Sequence, residues 1–288
     1  MDHHHRHEHV FDTPEMAAAT EVEGDALYGL TSAAVDATVQ ACRAAGVDAG
    51  RIVDLGSGPG VGSCLLATAF PAATVVAADA STAMLDRAAA RAARLGVGAR
   101  VETRHVDLPG GLDELGTADV VWVSMALHHV GDEADALAGI HRLLAPGGVL
   151  TLVEHGGPVR VLPDHVDLGR PGIWERLDAA WASWFAGMRA ALPASTASAG
   201  YPEMLAAAGF EVLVDEVITQ VDDPPLGDAA RRFAGQQVQS ACHQLDGIGD
   251  PADLAVLQRL ADPEAADGIA HRADAVLHAR RHLFIARA

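Results

Sequence analysis

Apolar residues along this chain arrive in two alternating patterns: short continuous runs, and longer stretches that repeat near every 3.6 residues. Ile52 to Leu55 and Thr74 to Ala78 are runs of the first kind and predict two strands. Arg100 to Val106 alternates polar and apolar positions and predicts a third. Asp119 to Ser124, reading Asp-Val-Val-Trp-Val-Ser, predicts a fourth that is buried on both faces, and Val149 to Glu154 a fifth. Helical spacing fills the intervals. One helix carries Cys64, Leu65, Leu66 and Ala69 and stops at Pro71; the next, capped by Ser81, carries Met84, Leu85 and Ala88 and stops near Gly96. A further helix is capped by Asp132 and carries Leu137, Ile140 and Leu144, after which Pro146-Gly147-Gly148 is expected to turn the chain. Five strand and helix repeats imply a parallel sheet with right-handed crossovers.

That rhythm has flanks. Residues 13–46 read as two helices with Gly24 and Gly46 as their stops. Residues 156–200 hold Pro and Gly at both ends, with a helical stretch between them that carries Trp174, Leu177, Trp181, Trp184, Phe185 and Met188. Tyr201 to Gly209 predicts another helix, Phe210 to Ile218 a strand, residues 224–281 a polar, Ala-rich helical insertion, and His282 to Ala286 the last strand. The expected organisation is therefore a tail (1–12), a helical pair (13–46), a sheet core (47–155), a helical lid (156–200), and the end of the sheet (201–288) interrupted by an insertion at 224–281.

Composition narrows the partners. A net charge of -19 over 288 residues disfavours nucleic acid, whose binding relies on clustered cations. All twenty basic residues are Arg, so lysine Schiff-base chemistry is excluded. Cys42, Cys64 and Cys242 are odd in number and far apart, which suits free thiols in the cytoplasm better than a disulfide framework or a zinc site. No signal-peptide core opens the sequence, and Ala118 to Leu127 is too short an apolar stretch to cross a bilayer. His3, His4, His5, His7 and His9 are dense enough to bind a transition metal, but a mobile tail is the simpler reading, and no metal site is assigned.

The chemistry concentrates at Arg51 to Gly62, where an apolar run meets Asp54 and then Gly56, Gly58, Gly60 and Gly62. A strand that breaks into glycines before a helix brings bare backbone against a ligand. The dinucleotide fingerprint needs glycine at its first, third and sixth positions, but the sixth position from Gly56 is Val61 and from Gly58 is Ser63. The segment instead resembles motif I of the class I S-adenosylmethionine-dependent methyltransferases. Asp79, Asp107, the run Ser124 to His129 and the run Leu144 to Gly148 follow in that family's order, so the resemblance spans residues 51–155.

The resemblance implies a Rossmann-like α/β fold: a seven-stranded sheet, mostly parallel with the last strand antiparallel, helices on both faces and a helical cap. It implies S-adenosyl-L-methionine as cofactor, bound by Asp54, Gly56, Ser57, Gly58, Gly60, Asp79, Ala80, Val106, Asp107, Leu108 and Ser124. Asp79 would meet the ribose and Asp107 the adenine; a cap or turn acid is the alternative for each. Nucleic-acid amine methyltransferases carry an acid or amide, two prolines and an aromatic after the fourth strand, where this chain has Ser124-Met125-Ala126-Leu127.

A small-molecule acceptor is expected, with O-methylation of a phenol or other secondary metabolite ahead of N- or C-methylation. His129, His128 and His155 are candidates for a general base because each is predicted at a strand end; a packed structural pair is the alternative for the adjacent two. The Trp-rich helix suits either a lid or packing on the sheet. A nicotinamide-dependent oxidoreductase and a non-catalytic S-adenosylmethionine-binding protein are the competing functions, and the sequence does not fix the oligomeric state.

Overall fold

Seven strands pair into one sheet in the computed structural model, which describes residues 13–108, 110–163, 169–192 and 200–288. They are β1 (Arg51–Leu55), β2 (Thr74–Asp79), β3 (Val101–His105), β4 (Ala118–Ser124), β5 (Leu144–His155), β6 (Glu211–Asp222) and β7 (Leu277–Arg287). Their order is β3-β2-β1-β4-β5-β7-β6. β7 is antiparallel to both neighbours while the other pairs run parallel, as the resemblance implied. The strand order reverses between the adjacent strands β1 and β4, so their carboxyl ends open the crevice in which such sheets bind ligands.

The alternating side chains of the central strands feed two cores. Val53, Leu55, Val121, Leu150 and Leu152 pack against α5 (Glu133–Leu143) and the short α7 (Tyr201–Ala207). Ile52, Val120, Trp122, Val149 and Ile285 face α2 (Tyr28–Ala45) and α3 (Val61–Ala69). A buried hydroxyl pair, Thr38 with Thr151 at 2.8 Å, fixes α2 across the sheet. α4 (Thr82–Arg94) starts at the predicted cap, where Ser81 Oγ accepts the Met84 amide.

A third core lies outside the sheet proper. The two helices of the insertion, α8 (Asp228–Gln244) and α9 (Pro251–Ala261), bury Phe233, Val238 and Leu257 against Leu27 and Leu30 and against Leu277 and Ala279 at the start of β7. α1 (Pro14–Ala26) is also held to α4 by charge, with the buried Arg91 donating to Glu21 at 3.1 Å and to Asp25 at 2.7 Å. α6 (Ile173–Ala190) buries only Ile173 fully. It is the least embedded of the long helices.

Three sequence expectations change. Gly24 lies inside α1, which ends at Ala26; a Cβ there would meet Val61 Cγ2 at 2.7 Å, so this glycine serves close helix packing and only Gly46, at φ 69°, is a stop. Pro146-Gly147-Gly148 belongs to β5, whose register against β4 shifts between Ala118 and Val120, so the run bulges within a strand. β6 and β7 are longer than expected, because the alternation at their far ends is masked by Asp, Arg and His on the open face. The His-rich tail lies outside the described residues. No helix among those described is long and apolar enough to cross a membrane.

Candidate active site

The glycine loop ties three strand ends together through backbone. The Gly56 and Ser57 amides both donate to the Ala78 carbonyl, at 2.8 and 3.0 Å, and the Val106 amide donates to the Asp79 carbonyl at 3.0 Å. Gly56 has φ 65° and a Cβ on it would stand 2.4 Å from Ala126 Cβ; Gly60 has φ 77° and its Cβ would stand 2.7 Å from Ala88 Cβ. Only glycine satisfies both the left-handed backbone and the contact. The Asp79 carboxylate accepts the Gly58 amide at 2.8 Å and the Ser81 amide at 2.9 Å, so it shapes the loop from below while its edge stays half-exposed.

The predicted cofactor residues separate into a rim and a foundation. Asp79, the exposed Ala80 and Asp107, and the partly buried Gly58, Leu108 and Ser124 line the rim, with Val106 buried just beneath. Asp54 belongs to the foundation. Its carboxylate is sealed from solvent and accepts the Ser63 hydroxyl at 2.5 Å, and burial pushes it up to about 7 against the opposing pull of that bond. The Asp54 carboxylate thus holds the start of α3 from beneath the loop. Ser57 is different again, for its buried Oγ has no hydrogen-bond partner. An orphaned hydroxyl beside a bare-backbone cradle is what a site made for a polar ligand offers.

Across the crevice, β4 ends in a strained corner. Met125 holds φ 55°, a left-handed conformation that costs a non-glycine residue about 1–3 kcal/mol and clusters at functional sites. The corner delivers Leu127–His129 as a single tight turn. His128 is buried with Nδ1 2.6 Å from Glu154 Oε2, and the other Glu154 oxygen accepts the Leu127 amide at 2.9 Å. Burial lowers His128 to about 4 and raises Glu154 to about 7, so each resists carrying a full charge and one proton is held between them.

The three predicted histidines do come together. The His128 ring centroid lies 4.0 Å from that of His129 and 4.7 Å from that of His155. Burial lowers His155 to about 3, with the charge of His128 adding to the effect. His129 is exposed, yet desolvation on its packed side and then the charge of His128 draw it down to about 4. All three imidazoles are neutral near pH 7. α6 roofs them: Trp181 and Phe185 stack on each other at 5.2 Å, and both present ring edges to His155, at 5.7 and 5.2 Å. Among the described residues, no group of three or more His, Cys, Asp or Glu is arranged to hold a metal ion.

Several residues of this cluster were not singled out from the sequence. Glu154 was legible as an acid ending an apolar run. Arg189 follows Trp181 and Phe185 at successive four-residue steps on α6, which places all three on one helix face. Glu133, which accepts from Arg189, and Tyr201, which donates to Glu133, carry no comparable signal.

Comparison with known proteins places this geometry. A family model described as a methyltransferase domain matches residues 52–148. The malonyl-[acyl-carrier protein] O-methyltransferase of Dechloromonas aromatica is 30% identical over 212 residues, covering 68% of this chain and 72% of that protein. The chain belongs to the class I S-adenosylmethionine-dependent methyltransferases. Trans-aconitate 2-methyltransferases match a shorter stretch of this chain. The one from Azoarcus sp. (strain BH72) is 32% identical over 159 residues, 55% of this chain and 56% of the relative. The one from Variovorax paradoxus (strain S110) is 38% identical over 105 residues, 36% of this chain and 38% of the relative. The matched stretch thus spans between about a third and somewhat over half of these relatives' length. A solved structure from Nostoc punctiforme PCC 73102, provisionally described as an O-methyltransferase, shares the fold at TM-score 0.50 and 16% identity, over 96% of this chain and 59% of that one. The loop fits the family's methyl donor in two respects: its left-handed glycines leave bare backbone, and the buried Ser57 hydroxyl has no partner within the described residues.

Proposed function

We propose that this methyltransferase transfers the methyl group of S-adenosylmethionine to an oxygen of a small, flat acceptor held beneath α6. The observation that carries the reading is the cluster of three neutral imidazoles under the Trp181–Phe185 pair, beside the glycine loop. In this reading the backbone of Gly56, Gly58 and Gly60, with Ser57, binds the amino-acid end of the cofactor, and Asp79 and Ala80 take the ribose. Val106, Asp107 and Leu108 border the adenine, and Ser124 borders the reacting end. The bound cofactor supplies an electrophilic methyl group on a sulfonium.

Methyl transfer of this kind needs alignment and exclusion of water more than it needs a catalytic charge. Trp181 and Phe185 offer a flat apolar surface for alignment, and the roof they form keeps water out. A phenolic acceptor must also lose its proton. His129, neutral and reached by solvent, would take that proton on an imidazole nitrogen, while Glu154, against His128 Nδ1 and the Leu127 amide, fixes the turn that carries both rings. His155 keeps the pocket uncharged.

A second reading follows from the relatives' names, trans-aconitate and malonyl methyltransferases, which point to a carboxylic acid as acceptor. A carboxylate is already deprotonated and needs no base. Calorimetry with S-adenosylhomocysteine, followed by a product screen over phenols and di- and tricarboxylic acids, tests both. His129→Ala is expected to lower turnover of a phenol by about a hundredfold with S-adenosylhomocysteine affinity unchanged. Turnover of carboxylic acids that survives His129→Ala assigns the second reading. Cofactor binding with no product from either panel would leave a non-catalytic S-adenosylmethionine-binding protein.

A further inference from the structure

α6 lies over the histidine cluster with little of its surface buried, yet both of its ends are gripped by arginine. At the first end, Arg176 donates to the buried Asp253 of α9 at 2.6 and 2.8 Å, and Asp178 pairs with Arg160, whose guanidinium also stacks 5.2 Å over Trp174. These contacts dock the helix onto the cap. At the last turn the contact is of another kind. Arg189 donates to the carbonyl of His128 at 2.6 Å and to that of Val130 at 3.2 Å, and its second terminal nitrogen donates to Glu133 Oε2 at 2.7 Å. The remaining oxygen of Glu133 accepts the Tyr201 hydroxyl at 2.9 Å.

One guanidinium therefore spans the helix that roofs the acceptor and the backbone of the turn that carries His128 and His129. Glu133 and Tyr201 hold it in place from α5 and α7. The His128 carbonyl belongs to the peptide plane that leads into His129 and the Val130 carbonyl to the plane just past the turn, so Arg189 grips the backbone at the entry to His129 and beyond its exit. Sequence separation makes the link informative: Arg189 is 61 residues beyond His128, and no chain connectivity forces the two together.

We propose that Arg189 is a positioning residue that couples closure of α6 over the acceptor to the orientation of the His128–His129 turn. The inference rests on the proposed function for its catalytic meaning, but its physical content can be tested without an acceptor. When the last turn of α6 is docked, the roof and the imidazoles are set together. When it lifts, the His128 carbonyl of the turn and the Val130 carbonyl that follows it lose their guanidinium donor, and the rings lose their register with the strand end. A buried Glu133 carboxylate is also stranded, which favours the docked state.

The test uses the full chain labelled with 15N and saturated with S-adenosylhomocysteine, with the imidazole signals of His128 and His129 assigned through His128→Gln and His129→Gln. In the wild type each ring is expected to give one sharp signal pair with a fixed tautomer. Arg189→Ala is expected to broaden or split both while S-adenosylhomocysteine affinity is retained, and Arg189→Lys to restore them in part. With any acceptor found in the product screen, Arg189→Ala should lower kcat by about tenfold or more and leave KM for S-adenosylmethionine unchanged. Unchanged imidazole signals in Arg189→Ala overturn the proposal. If Arg189→Ala does not fold, Arg189→Lys decides: signals identical to wild type there, where the forked contact cannot form, overturn it equally. Failure of the wild-type chain to bind S-adenosylhomocysteine would sink the functional reading instead, a result separate from the imidazole spectra.

Discussion

The two walls of the crevice are built from different materials. The cofactor wall is backbone: glycines with no side chain to spare, amides donating to Ala78 and Asp79, and a foundation carboxylate sealed under α3. The wall proposed for the acceptor is side chain: three imidazoles, two stacked aromatic rings and an arginine, on a turn and on a helix with one fully buried residue. A wall made of backbone tolerates almost no substitution, whereas a wall made of side chains on a lightly held helix can be rewritten one residue at a time. The difference fits a molecule whose methyl donor is fixed by its family and whose acceptor must be specified separately.

Breaking the first wall should have the largest effect. Gly60→Ala forces a Cβ against Ala88, whose Cα would be 2.8 Å away, from a backbone with φ 77°. Relief requires α4 to move, so a loss of about 3 kcal/mol or more is expected in chemical denaturation, with S-adenosylhomocysteine binding abolished in calorimetry. Stability and binding retained together would mean that the loop is not the rigid element described. On the second wall, Trp181→Ala should raise KM for the acceptor by about tenfold, while Tm falls by only about 2 °C because the ring is half-exposed. The reverse pattern would make the stack a packing device.

The smallest and most diagnostic effect concerns pH. His155 is held down to about 3 in the fold by burial and by its histidine neighbour, against an ordinary value near 6.5. The unfolded chain therefore takes up a proton below about pH 6.5 that the folded chain refuses, and stability falls as pH drops from there toward 3. His155→Phe removes this contribution. Its Tm should decline less steeply than the wild type between pH 6.5 and 4, and parallel curves would show that His155 is readily protonated in place.

What could be read from the sequence follows the same division. The glycine loop, the Ser81 cap and the order of the strands are local signals, because a turn, a cap or an apolar run is encoded within a few neighbouring residues. Gly24 and the Pro146-Gly147-Gly148 run misled because their conformations are set elsewhere, by Val61 of α3 and by the bulged register with β4. The place of Asp54 in the motif is local, but its burial depends on Ser63 and the neighbouring strands. The acceptor wall depends on contacts between residues far apart, Glu154 with His128 and Arg189 with Glu133, and no short-range pattern announces them.

β6 and β7 form the longest ladder in the sheet, from Glu211 against Arg287 to Asp222 against Leu277, yet residues 223–276 lie between them. Closing so long a loop costs about 2 kcal/mol more chain entropy than closing a four-residue hairpin. α8 and α9 offset this cost by packing on Leu277 and Ala279, at the very point where the loop closes. The sheet edge is thus a late-forming contact whose rate should depend on the insertion folding first. A destabilising change at Phe233, which packs on the start of β7, should slow the completion of the sheet, as stopped-flow refolding would measure.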